Sequence, residues 1–342
     1  MARRRGARPA WALPIAVAVA AAAGCGDNDQ STLRPASNAS HSIATLWWIM
    51  LAGSGVIFAA VVALVLAAAV RRRGEDRPPR WASTLGTPFV LVSGLVVPAL
   101  VLIGLFTLTL VVLPKTSPAA RATTSAGPGA LVVRVTARQW FWDVDYPASG
   151  ARTANEIHLP LAQTVTVRVE SDDVVHSLWI PELNRKIDTI PGQVNSIRIR
   201  ATKAGVYRGQ CAEFCGLQHA HMVLYVVVEP ADRFRAWLAH EAEPAARPTS
   251  VAVERGQQVF LGSACVYCHR IGGTNASGRI GPDLSHVASR ISLAAGTIPN
   301  TPGYLAGWIL DPQHVKPGNR MPGTDLPGDE LQSLLAYLET LR

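Results

Sequence analysis

Two long stretches without a charged side chain constrain this 342-residue chain more than any other feature. Residues 43–70 and 85–113 comprise 28 and 29 residues without Asp, Glu, Lys or Arg. Because a helix crosses the hydrocarbon core of a bilayer with about 20 residues, each stretch predicts a transmembrane helix. The segment between them, RRRGEDRPPR, carries five arginines and two acidic residues. The positive-inside rule places this hairpin in the cytoplasm, so everything after residue 113 is predicted to face outward.

The first 24 residues predict a signal peptide. An arginine-rich start is followed by an apolar stretch too short to span a bilayer comfortably, and small residues lead into Cys25. This pattern resembles a bacterial lipoprotein signal, which is cleaved before the cysteine and lipidated on its sulfur. Ala22 stands where such signals usually have leucine. A plain signal peptide and an uncleaved apolar tail therefore stay open as alternatives.

The net charge of +8 belongs to the membrane-associated part of the chain. Residues 1–129 carry 12 basic and 4 acidic residues, and the rest of the chain is neutral overall. Positive charge next to membrane spans sets topology and does not recruit a polyanion. The distribution argues against nucleic-acid binding.

A linker rich in Pro, Ser, Thr, Ala and Gly leads to a first exported domain, residues 130–240. Short β-branched or alternating runs, LVVRVTARQW, TVTVRVE, SIRIR and HMVLYVVVE, are separated by turns. This spacing favours an antiparallel β-sandwich. An adhesion module fits the strands equally well, but it does not explain the loop YRGQCAEFCGLQHAHM.

That loop carries a metal-ligand pattern. Its candidate ligands are Cys211, Cys215, His219 and Met222, with His176 upstream in DDVVHSLW. Zinc accepts two thiolates and two imidazoles but has no use for a thioether, and the spacing resembles no ordinary zinc finger. A soft sulfur set with imidazole favours copper, with a loop disulfide as the alternative. His221 alternates with His219, so in an extended segment it would face the opposite side and is predicted not to be a ligand.

A second exported domain, residues 250–342, contains the string CVYCH. Cys265, Cys268 and His269 have the spacing of c-type haem attachment, in which two thiols bind the porphyrin and the next residue presents imidazole to the iron. A thioredoxin-like or zinc site would use a similar string. An exported chain without a second cysteine pair in this domain argues against both.

The sixth iron ligand is predicted by elimination. The chain has four methionines: the initiator, Met50 in a membrane stretch, Met222 in the copper loop, and Met321. Met321 lies in VKPGNRMPG, a loop bracketed by proline and glycine, and is the predicted ligand. His286 and His314 are the alternatives.

These features together resemble subunit II of haem–copper cytochrome c oxidases, in the bacterial form with a fused cytochrome c domain. The family motif stands here as Cys211, Glu213, Cys215, His219 and Met222. The resemblance covers nearly the whole chain. It implies a multidomain membrane protein with a two-helix transmembrane hairpin, a cupredoxin-like antiparallel β-sandwich of Greek-key topology and a small all-α cytochrome c domain.

The resemblance also implies the roles of the copper ligands. Two thiolates bridge two copper ions, two imidazoles cap one ion each, and a thioether and a backbone carbonyl fill the weaker positions. The residues are Cys211 and Cys215, His176 and His219, and Met222 and Glu213. Such a dinuclear CuA centre shares one electron between its ions and acts as a relay.

Two further roles follow from the same resemblance. In QWFWDVDYP, the first tryptophan, Trp140, receives electrons near the copper centre, although an aromatic at a sandwich edge more often only packs. The carboxylate of Glu213 helps to hold a magnesium ion shared with the catalytic subunit. The family often has a glutamate at the cytoplasmic end of its second helix, but TPFVLVSGLVVP contains no carboxylate. The sequence therefore does not predict proton uptake through this subunit.

The functional expectation is a relay on the outer, periplasmic face of a bacterial inner membrane. A cytochrome c or another donor reduces the haem, and the electron passes through copper to the catalytic haem–copper subunit, where oxygen is reduced to water. Other oxidase subunits are expected partners. The alternatives are the corresponding subunit of a CuA-containing nitric oxide reductase and a tethered copper-binding module.

Overall fold

The computed structural model describes residues 29–71, 81–116 and 131–342. The predicted signal peptide, Cys25, nearly all of the arginine-rich hairpin and most of the linker after the second span lie outside these ranges. Those predictions therefore stay predictions.

The two apolar stretches form long helices, as predicted. The first, α1, is Asn38–Arg71. The second consists of α2, Trp81–Leu91, a π-helical turn, Val92–Val96, and α3, Val97–Thr116. The π turn lies between Pro88 and Pro98, neither of which donates a backbone hydrogen bond. Within the described ranges, the segments Asn38–Val70 and Gly86–Leu113 are long and apolar enough to cross a membrane.

Residues 131–229 form two five-stranded sheets. The strands are β1 Val132–Arg138, β2 Phe141–Tyr146, β3 Ala151–Ala154, β4 Glu156–Pro160, β5 Thr164–Ser171, β6 His176–Trp179, β7 Ile187–Thr189, β8 Asn195–Arg200, β9 Gly205–Cys211 and β10 Val223–Glu229. One sheet has the order β3-β2-β1-β5-β8 and the other β4-β10-β9-β6-β7. The predicted sandwich is confirmed.

Neither sheet is purely antiparallel. Among these strands, β1 pairs with β5 and β4 with β10 in parallel. In each case the chain visits the opposite sheet before it returns, so the second strand re-enters in the same direction. Alternate side chains of β5, such as Val165 and Val167, are buried between the sheets and pack near Trp142.

The second exported domain, residues 250–342, follows helix α4, Ala231–Glu241. It contains α5 Val251–Gly262, α6 Cys265–Cys268, α7 Pro302–Leu310, α8 Pro312–Val315 and α9 Gly328–Leu338, with a short hairpin, β11 Ser292–Leu293 and β12 Ile298–Pro299. The hairpin makes the domain mainly rather than purely helical. On the terminal helix α9, Leu331, Leu334 and Leu338 form a buried apolar stripe. Helix α5 crosses α9 at Gly256, where a Cβ would lie 1.9 Å from the Ser333 carbonyl oxygen.

Asp143 on β2 yields a stability prediction. Burial, with a smaller contribution from Asp145, raises the pKa of its carboxyl to about 6, from 3.8. The unfolded chain loses this proton at lower pH, so ionisation destabilises the fold as pH rises from about 4 to 6. We expect Asp143→Asn to stabilise the chain at pH 7.5 by up to about 3 kcal/mol. Thermal unfolding of the full chain should show a gain that disappears toward pH 4.

The exposed Asp325 gives a matched control, because Asp325→Asn removes the same charge from the surface. It should leave the unfolding temperature nearly unchanged at both pH values. A gain for Asp143→Asn that is as large at pH 4 as at pH 7.5 would contradict the assignment of a destabilising buried charge.

Candidate metal centres

Two cysteines at the end of β9 form the centre of the first candidate site. The sulfur atoms of Cys211 and Cys215 lie 3.7 Å apart, and both side chains are buried. A disulfide would need a separation of about 2.05 Å, so the two thiols are free. The loop disulfide considered from the sequence is absent from this structure.

Four other donor groups surround the thiols. His176 Nδ1 lies 3.9 Å from the Cys211 sulfur, and His219 Nδ1 lies 3.6 Å from the Cys215 sulfur. The Met222 sulfur is 3.9 Å from the Cys215 sulfur, and the carbonyl oxygen of Glu213 is 3.1 Å from the Cys211 sulfur. Ligands that bind one ion at about 2.0–2.3 Å lie roughly 3–4 Å from each other. The donor set therefore has the spacing of metal ligands, with one imidazole beside each thiol.

Hydrogen bonding between the thiols sets their ionisation. The hydrogen bond between the two sulfur atoms lowers the pKa of Cys211 to about 3. The same bond and the neighbouring thiolate raise the pKa of Cys215 far above its ordinary value. Without metal the pair holds one proton, which metal ions must displace in order to bind both sulfurs.

Asp173 orients one of the imidazoles and was missed by the sequence analysis. Its Oδ1 lies 2.8 Å from Nε2 of the buried His176, so Nδ1 of that ring is left to face the Cys211 sulfur. A carboxylate behind a metal-binding histidine fixes the ring and its tautomer. The signal was present in the sequence, since DDVVH places the carboxylate three residues before the histidine.

Trp140 is hydrogen-bonded to the thiol loop, residues 211–222. Its indole Nε1 donates to the carbonyl oxygen of Cys215 at 3.0 Å, and the Gln139 side chain donates to the same oxygen at 2.8 Å. The ring packs so closely on the loop that a Cβ at Gly216 would lie 3.1 Å from Trp140 Cζ2. The φ of Gly216 is +112°, a conformation that favours glycine. Trp140 is therefore in contact with the backbone of a candidate ligand.

Two side chains of the loop do not join the donor set. The carboxylate of Glu213 is half exposed and lies 3.3 Å from the ammonium of Lys186. The Nδ1 atom of His221 lies 2.8 Å from the Gln218 side-chain oxygen. The contact of Glu213 with Lys186 leaves the magnesium prediction untested. The contact of His221 with Gln218 is compatible with His221 as a non-ligand.

The second candidate site is built around His269. Cys265 and Cys268 form the one-turn helix α6 and are free thiols. His269 Nδ1 lies 2.8 Å from the Pro282 carbonyl oxygen and can only donate to it, which leaves Nε2 with a lone pair for iron. Burial lowers the pKa of His269, so the ring is neutral at pH 7. A Cβ at Gly281 would lie 2.5 Å from its Cε1, so only glycine fits against the ring. These residues fit a c-type haem.

The candidates for the sixth iron ligand differ in their surroundings. His286 is buried with both ring nitrogens near carbonyl oxygens, Nδ1 near Arg342 and Nε2 near Glu243. His314 is exposed. Met321 is half-buried, and its backbone is held by hydrogen bonds with the side chains of Asn319 and Gln313. The prediction of Met321 is favoured because His286 has no free nitrogen.

Comparisons with known proteins agree with both sites. Residues 148–230 match the family model for the periplasmic domain of cytochrome c oxidase subunit II, and residues 253–342 match the cytochrome c model. Cytochrome c oxidase subunit 2 of Alkalihalophilus pseudofirmus is 30% identical over 298 residues, which cover 86% of this chain and 84% of that protein. The chain belongs to the cytochrome c oxidase subunit 2 family. The Bacillus subtilis protein of the same name is 31% identical over 285 residues, 79% of each chain.

Membership in this family makes the chain a subunit of a haem–copper oxidase, which is an oxidoreductase. The two matched domains imply copper and haem c as its cofactors. The cluster of His176, Cys211 and Cys215 agrees with a copper site. The two apolar helices fit an inner-membrane protein with a periplasmic domain.

Proposed function

We propose that this chain is the subunit through which electrons enter a terminal oxidase. A donor, such as a cytochrome c, reduces the haem of residues 250–342, and the electron passes through CuA to the catalytic subunit, which reduces oxygen to water. One observation carries the proposal: four donor groups converge on the Cys211–Cys215 pair in a chain that also has a haem-attachment motif.

Strand pairing and hydrogen bonds hold the proposed copper ligands in place. When bound, the two copper ions supply a shared redox site that accepts and releases one electron. The ligands are Cys211, Cys215, His176, His219, Met222 and the carbonyl of Glu213. His176 lies on β6 and Cys211 at the end of the adjacent β9, and Asp173 holds the His176 ring. Because the two cysteines, His176 and Met222 are buried, they keep their positions when the charge of the site changes.

The haem ligands tune the potential of the iron. Cys265 and Cys268 would bind the porphyrin covalently, and His269 and Met321 would bind the iron. Methionine ligation raises the potential, which suits a carrier that delivers electrons toward an oxidase. If both iron ligands come from the chain, the haem would supply one-electron transfer and would leave no position for oxygen. Oxygen reduction and proton pumping therefore belong to the catalytic partner.

Trp140 is the proposed point at which electrons reach the copper loop. Its indole donates to the carbonyl of Cys215, so a covalent and hydrogen-bonded route runs from the ring to the sulfur of Cys215, which would bind copper. The Glu213 carboxylate is proposed to help hold magnesium at the interface with the catalytic subunit. Both folded domains are proposed to lie on the periplasmic face of the inner membrane.

The proposal is tested on the complex isolated gently from membranes. We expect two copper ions and one haem c per chain, a many-span haem–copper partner, and consumption of oxygen on addition of a reduced donor. A complex that consumes nitric oxide and not oxygen would favour the nitric oxide reductase alternative. A chain that binds copper but co-purifies with no large subunit would favour a tethered copper-binding module.

A further inference from the structure

A buried lysine lies where the haem domain, residues 250–342, meets the copper domain, residues 130–240. Lys316 is 2% exposed and is the only lysine in the sequence of residues 250–342. It stands in VKPGNRMPG, five residues before Met321. Burial lowers the pKa of its ammonium to about 7. A lysine is rarely buried in this way unless its polar head has specific partners.

The partners of Lys316 belong to both domains. Its Nζ donates to the carbonyl oxygens of Trp140 and His221, each at 2.8 Å, and to that of Ala294 at 3.0 Å. The first two acceptors are in the copper domain and the third is in the haem domain. An ammonium has three N–H donors, so all of them are satisfied only when the domains are docked in this register.

Neighbouring residues continue the contact on both sides. Gln218 of the thiol loop donates to the Pro317 carbonyl at 2.7 Å. A Cβ at Gly318 would lie 3.0 Å from Leu217 Cδ2 and 3.9 Å from Trp140 Cη2. The segment 316–318 therefore packs against Trp140, which is partly buried. Further along the same loop, the Arg320 guanidinium approaches Asp173, the partner of His176, to 4.0 Å.

We propose that Lys316 is a positioning residue for electron transfer between haem c and the copper centre. Lys316 connects the loop that carries Met321 to the backbone carbonyl of Trp140. The indole of Trp140 in turn donates a hydrogen bond to the carbonyl of Cys215. The three hydrogen bonds of Lys316 to carbonyl oxygens of both domains hold the domains in one register. Since electron transfer slows steeply with distance, a fixed register keeps the two centres close. This inference rests on the proposed function.

The test is Lys316→Met in the full chain within the purified oxidase. Methionine has similar length and removes all three donors. After rapid photoreduction of the haem, its reoxidation by the copper centre is followed by absorbance. We expect the rate to fall at least about tenfold, while the static spectra of haem and copper are unchanged. Lys203→Met, which removes an exposed lysine of the copper domain, should leave the rate as in the parent.

A rate within twofold of the parent, with both cofactors present, would overturn the inference. Absence of copper or haem from the parent chain would instead overturn the proposed function. A second variant applies if Lys316→Met does not assemble. A Cβ at Gly296 would lie 2.6 Å from Val223 Cβ across the interface, and its neighbours Ala294 and Ala295 already adopt positive φ. Gly296→Ala should therefore slow transfer by separating the domains, and an unchanged rate would refute the proposal.

Discussion

Cys215→Ser is expected to abolish the dinuclear copper centre and to lower oxidase turnover by roughly 100-fold or more. Loss of even an outer-shell partner typically costs 10–100-fold in metal affinity or activity, and Cys215 contacts three other donors of the site. A hydroxyl is a poor ligand for a soft ion and does not bridge two of them as a thiolate does. Copper content and the mixed-valence spectrum of the purified complex measure the loss.

The haem spectrum provides an internal reference for this variant, since Cys265 and Cys268 lie in the other domain. His221→Ala is the matched control in the same loop. Its ring contacts Gln218 and only its backbone carbonyl meets Lys316, so the copper spectrum should persist. Two coppers with an intact mixed-valence spectrum in Cys215→Ser would refute the proposed ligand set.

Met321→Leu is expected to leave the haem attached but to remove the sixth ligand of its iron. Since methionine ligation raises the potential, its loss should make the haem harder to reduce. A fall of about 120 mV would reduce the equilibrium for accepting an electron from the donor about 100-fold. Turnover with a soluble donor should fall accordingly. A redox titration of the haem and the donor-supported oxygen consumption measure the two effects.

His314→Leu is the control for this prediction, because it removes the exposed alternative ligand. It should leave both the potential and the turnover unchanged. If His314→Leu lowered the potential and Met321→Leu did not, the axial assignment would be reversed. Unchanged values in both variants would mean that neither residue binds the iron.

The sequence by itself determined the features that depend on residues close together in the chain. Two charge-free stretches are sufficient to predict two membrane helices, because length and apolarity alone decide whether a helix can cross a bilayer. The loop from Cys211 to Met222 and the string from Cys265 to His269 carry most of their ligands within a few residues. Their chemistry therefore follows from spacing.

Only the tertiary structure decided how distant residues complete these sites. His176 reaches the thiols because β6 pairs with β9. Lys316 meets Trp140 across 176 positions of the chain because two separately folded units dock. Local patterns specify strands, helices and ligand motifs, whereas contacts between them depend on which buried faces pack together. Packing of that kind is set by the whole fold and leaves no signal in the spacing of neighbouring residues.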